Sequence, residues 1–77
     1  ETRIRYDLPN DGHIKLIIYD ILGRELVTLI DRDQSAGRFN IIWNGKDAFG
    51  NPVGSGLYFY QLTADKFSQT KKMIISR

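Results

Sequence analysis

Apolar and polar residues alternate with a period of two along almost the whole chain, a pattern that specifies strands and argues against helices. In residues 2–8, Ile4, Tyr6 and Leu8 fall on one face and Arg3, Arg5 and Asp7 on the other. Pro9-Asn10-Asp11-Gly12 follows as a turn cluster. Residues 13–21 form the next strand, with Ile14, Leu16 and Ile18 inward. Leu22-Gly23 is a tight reversal in which Gly23 can take a positive φ at little cost. Residues 25–31 return as a third strand, hairpin-paired with the second. After a loop at 33–37, residues 38–43 read as a fourth strand with Phe39, Ile41 and Trp43 inward. Residues 57–64 follow, with Tyr58, Tyr60 and Leu62 on one face, then a turn at Asp65-Lys66 and a last strand over 67–76. That is six strands, or about seven with a short one near Val53, and no helix. Such spacing predicts an all-β chain folded as an immunoglobulin-like antiparallel β-sandwich.

Length makes residues 1–77 a single domain. A chain this short buries a thin core, about 60% of its unfolded surface. It contains no cysteine, which excludes disulfide frameworks and thiolate metal sites. The net charge of +2 is too weak to imply a nucleic-acid partner. Basic residues do gather at the end, where Lys66, Lys71, Lys72 and Arg77 occur with no acid after Asp65. No apolar run reaches the roughly 18 residues of a transmembrane segment. No signal peptide is legible, and Glu1 opening directly into a strand pattern is the expectation for a segment of a longer chain.

For catalysis the residues are poor. His13 is the one histidine, no serine sits in a nucleophile-elbow pattern, and Asp31 and Asp33 flank a loop in which aspartate serves turn geometry. No enzyme, no cofactor and no metal site is expected.

The stretch "WNGKDAFGNPVGSGLYFY", residues 43–60, looks most like a site. Its glycines match neither a P-loop nor GxGxxG, and a strand follows rather than a helix. Asn44, Asp47 and Asn51 fail the EF-hand spacing. Turn chemistry explains it better. Gly56-Leu57-Tyr58 is the setting of a tyrosine corner, whose hydroxyl bonds to upstream backbone, with Trp43 the natural core partner.

Two surfaces stand out. Ile17, Tyr19, Ile42 and Phe59 alternate onto the faces opposite the inward residues of their strands, which predicts an interaction patch unless neighbouring loops cover them. The last strand, "KFSQTKKMIISR", is basic and apolar together. Lysines on an edge strand guard against edge-to-edge pairing, and an exposed strand end can equally be read as an address by strand addition.

Several segments in order, "TRIRYDLP", "IYDILGRELVTLID", "AGRFNIIWNGKDAFGNPVGSGLYFYQLTA" and "TKKMIISR", resemble the C-terminal sorting domain of the bacterial type IX secretion system. That module is itself similar to the immunoglobulin-like domain of the flagellar hook-capping protein. The resemblance covers essentially the whole chain and rests on Tyr19-Asp20, Gly23, Trp43, Gly45, Asp47, Gly50, Gly56, Tyr58, Tyr60 and Lys72-Met73. It implies a seven-stranded sandwich carried by secreted proteins through the periplasm and outer membrane to the cell surface or the medium. Its implied partners are an outer-membrane translocon, a sortase-like peptidase and an upstream cargo domain. It implies recognition through Lys71, Lys72, Met73, Ile74 and Ile75. Ile17 and Ile42 depart from the polar residues expected at their positions, which points to domain packing or self-association. Two other readings stay open: a β-sandwich assembly module, and a carbohydrate-binding module using Tyr19, Phe49 and Phe59.

Overall fold

A computed structural model describes residues 1–65 and 67–76. Six strands follow one another: β1 (Thr2–Leu8), β2 (Gly12–Tyr19), β3 (Glu25–Gln34), β4 (Gly37–Trp43), β5 (Gly56–Ala64) and β6 (Phe67–Ile75). They form two antiparallel sheets, one of order β1-β4 and one of order β3-β2-β5-β6. The all-β sandwich expected from the alternation is therefore present, with six strands among the described residues rather than seven.

The missing strand is the one expected near Val53. There the backbone makes a single bridge, Lys46 to Pro52, and proline has no N–H to extend a ladder. β3 also runs three residues past its expected end. Its polar tail stays extended because Gly12 and His13 of β2 pair with Gln34 and Asp33. The turn expected at Asp65-Lys66 includes Lys66, which lies outside the described residues, as does Arg77.

The alternation places the core as expected. Ile4, Tyr6 and Leu8 of β1 face Ile14, Leu16 and Ile18 of β2, and all are buried. Ile30, Trp43, Leu62 and Ile75 add one residue from each remaining strand. Phe39 and Ile41 are only partly buried, because the two-stranded sheet has no neighbour to cover its flanks. Tyr6 stacks on Phe39, ring centroids 5.5 Å apart, and its hydroxyl donates to Gln34 Oε1 at 3.1 Å, tying β1 to the end of β3.

Where β2 meets β3 the register shifts twice, between Leu16 and Ile17 and between Ile18 and Tyr19. Each shift leaves an extra β3 residue, Leu29 and then Leu26, and both pack against the core. Bulges of this kind twist an edge strand away from further pairing.

Candidate functional site

The glycine-rich loop between β4 and β5 is built from its own side chains. Asp47 Oδ1 accepts the backbone N–H groups of Phe49 at 2.9 Å and Asn51 at 3.0 Å. Asn44 Oδ1 accepts that of Lys46 at 3.0 Å, and the buried Trp43 indole donates to the Lys46 carbonyl at 3.0 Å. Gly50 closes the Asp47 turn with φ 84°, a conformation that disfavours any side chain. The side-chain oxygens of Asn44 and Asp47 that looked available for a ligand thus serve the loop's own donors. Among the described residues no group of His, Cys, Asp or Glu is placed to hold a metal ion.

The tyrosine corner is present. The Tyr58 hydroxyl donates to the Gly54 carbonyl at 2.7 Å, and its ring meets the Trp43 ring edge-on with centroids 5.9 Å apart. Gly45 lies under this loop, its carbonyl accepting the Val53 N–H at 2.9 Å, and Gly56 begins β5. Tyr60 is half-buried one turn of the pleat further on, and burial raises the pKa of its hydroxyl.

Asp20, named in the sequence only as part of a family motif, is buried and organises the β2–β3 turn. Its carboxylate accepts the N–H groups of Leu22 and Arg24 and the Arg24 Nε at 2.8 Å. The Arg24 backbone N–H, aided by the guanidinium and the Leu22 N–H, holds its pKa below the usual carboxylate range. Gly23 completes the reversal with φ 81° and an N–H to the Asp20 carbonyl at 3.0 Å.

Asp31 and Asp33 do not flank a loop. They lie within β3, where both carboxylates grip the exposed His13 ring: Nε2 to Asp31 Oδ1 at 2.5 Å and Nδ1 to Asp33 Oδ1 at 2.8 Å. A neutral imidazole has one N–H, so two carboxylate acceptors favour the imidazolium. Hydrogen bonds donated to Asp31, then to Asp33, raise the His13 pKa accordingly. The cluster clamps β2 to β3.

Of the expected patch, the structure brings three members together. Ile17, Tyr19 and Phe59 share the outer face of the four-stranded sheet, with Tyr19 directly opposite Phe59 across β2 and β5. Ile42 is separated from them on the outer face of the other sheet, half-exposed opposite Arg3. Alternation reveals which side of a strand a residue takes, but not which sheet the strand joins. Leu57 and Ile74, cross-strand partners on β5 and β6, extend the patch; the sequence named Ile74 for recognition and placed neither residue on this face. Phe49, 90% exposed, stands at the tip of the loop rather than on that face.

β6 forms one edge of its sheet and, among the described residues, pairs only with β5. Met73 and Ile75 turn inward, and Ile75 belongs to the core. Lys71, Lys72 and Ile74 are exposed, with Ile74 at 78%. A further feature emerges only from register. Arg3 and Arg5 of β1 and Arg38 of β4 meet on the outer face of the two-stranded sheet, where sequence had scattered them.

Residues 1–68 match the family model of the FlgD Ig-like domain. Among solved structures, the crystal structure of FLGD from P. aeruginosa superimposes with a TM-score of 0.73 at 24% identity. The alignment covers 94% of this chain and 57% of that one, so the likeness speaks for the fold and for part of that protein's length. No curated protein matches.

Proposed function

This chain belongs to the FlgD Ig-like domain family, and on that premise we propose that it is a non-catalytic sorting and anchoring module of the type IX secretion kind. In this reading it accompanies a secreted bacterial protein through the periplasm and outer membrane to the cell surface. An outer-membrane translocon recognises it and a sortase-like peptidase acts on it. The observation that carries the reading is the construction of β6. Met73 and Ile75 fix the strand to the core, which leaves Lys71, Lys72 and Ile74 displayed along an unpaired sheet edge. A receptor reading an extended strand needs that division between residues that hold and residues that face out.

A reporter fused ahead of the chain, expressed in a type IX-competent host, tests it. Deleting residues 71–77 should abolish export, but it also removes Ile75 from the core. The sharper variant is Lys71→Gln, Lys72→Gln and Ile74→Thr together, which leaves the core untouched. Export of that folded variant at the wild-type level would sink the proposal.

The joined apolar face favours a second reading, a structural assembly module. Ile17, Tyr19, Phe59, Leu57 and Ile74 are contiguous across β2, β5 and β6. Light scattering distinguishes it, because a monomer at high concentration is incompatible with self-assembly through this face.

A further inference from the structure

Among the described residues the pair β1–β4 stands as a two-stranded sheet, so β1 has an unpaired backbone edge along its 7 residues. Such an edge offers N–H and C=O groups to an incoming strand. β1 has neither proline nor bulge, its register against β4 running unbroken from Thr2 to Leu8, and its guards are the charges of Arg3, Arg5 and Asp7, which repel a like-charged strand and admit a complementary one. The β3 edge, by comparison, is bulged, and the β6 edge has adjacent lysines.

Charge supplies an independent observation. Arg3, Arg5 and then Asp7 project from the outer face of β1, all exposed. Among the described residues neither the Arg3 nor the Arg5 side chain makes a hydrogen bond or ion pair. Arg38, opposite Asp7, and Asn40, opposite Arg5, complete a shallow groove of about 420 Å³ along this face.

We propose that the free edge of β1 is a docking site for an extended segment of a partner protein whose acidic side chains lie two residues apart. The segment adds antiparallel as a third strand of the β1–β4 sheet. Residues two apart on one strand face lie about 6.8 Å from each other, and directly opposed Cβ atoms about 5 Å apart. Two carboxylates at that spacing therefore sit opposite Arg3 and Arg5. The order of charge along β1 selects a segment reading Lys-x-Glu-x-Glu from its N-terminus, with its lysine against Asp7.

A second copy of this chain fits less well. β1 paired antiparallel with itself about Arg5 gives two Arg3–Asp7 pairs but opposes Arg5 to Arg5, and paired about Tyr6 it gives two Arg5–Asp7 pairs but leaves Arg3 without a carboxylate. The acidic pair of the chain's own β3 edge, Asp31 and Asp33, is already committed to His13. This inference is independent of the export reading, which concerns β6.

The test titrates the 77-residue chain with the peptide Thr-Lys-Val-Glu-Val-Glu-Thr at low salt, followed by amide chemical shifts. Saturable binding with shifts centred on β1 is expected. The Arg3→Gln, Arg5→Gln pair should weaken it roughly fivefold to tenfold, the range for two exposed ion pairs. Lys71→Gln with Lys72→Gln should leave it unchanged. N-methylation of alternate peptide residues should abolish it, since the charges remain and the ladder does not.

Equal affinity for the N-methylated peptide, or for a sulfated polysaccharide, would show a simple polyanion surface and overturn the proposal. No saturable binding at millimolar peptide overturns it as well. So does self-association lost on Asp7→Asn, which would make a second copy the occupant. Should the arginine variant fail to fold, the wild-type chain still decides, because a peptide of reversed charge order binding as tightly refutes the strand register.

Discussion

Replacing Tyr58 by phenylalanine removes one oxygen and leaves the ring in place against Trp43. The hydroxyl's bond to the Gly54 carbonyl is short, 2.7 Å, and ties the start of β5 to the loop four residues upstream. A neutral intramolecular hydrogen bond contributes about 1 kcal/mol net, and a carbonyl left wholly buried would cost up to about 3 kcal/mol. Gly54 lies on an exposed loop, so water can reach its carbonyl once the hydroxyl is gone. The smaller figure applies. Urea denaturation of wild-type and Tyr58→Phe chains should give equal m-values and a difference of about 1 kcal/mol. In a domain of this size that corresponds to a melting temperature lower by about 4–8 °C. The edge-on contact with Trp43 adds a separate increment, so Tyr58→Leu should lose roughly 0.5–1.5 kcal/mol more than Tyr58→Phe. A neutral Tyr58→Phe would refute the corner as a fastening. A loss equal to that of Tyr58→Leu would assign all the stability to the hydroxyl and none to the ring pair.

The His13 clamp makes stability depend on pH in a stated direction. A raised folded pKa contributes stability fully present below about pH 6.5 and lost as pH rises through the folded value. His13→Gln should remove that dependence, and a midpoint independent of pH between 6 and 9 in the wild type would contradict the clamp. Asp20 acts with the opposite sign. Its depressed pKa gives stability present above about pH 4 and lost on further acidification through the folded value, so Asp20→Asn should blunt acid unfolding in the wild-type profile. Gly23→Ala meets no atom within 4 Å yet holds φ 81°, so only backbone strain opposes it. A loss of about 1–2 kcal/mol by chemical denaturation is expected, and an unchanged midpoint would mean that the turn relaxes.

Period-two alternation was enough to locate the core because a sandwich buries one face of each strand. Every inward residue read in residues 2–8 and 13–18 is buried. Where polarity is the same on both faces, as in Arg32, Asp33 and Gln34, alternation carries no signal and the pairing with β2 decides the conformation. The tyrosine corner was legible because glycine, turn and tyrosine are close neighbours in the chain. The histidine clamp, the arginine cluster and the separation of Ile42 from Ile17 depend on which strands become neighbours. That information is spread over contacts distant in sequence, and no local pattern records it.

Strand pairing also sets the order in which the chain can become a domain. Thr2 pairs with Trp43, and Lys15 with Thr63, so neither sheet is complete until most of the polypeptide is available. Contacts of such long range form slowly, because the loop between the partners must close before any pairing rewards it. β2–β3 and β5–β6 can form early as local hairpins, but β2 and β5 must then find each other. Until they do, the faces that become the core remain open to water. A protein carrying this module would spend its longest unfolded interval with β2 waiting for β5, in a state open to chaperones or proteases that the finished sandwich excludes.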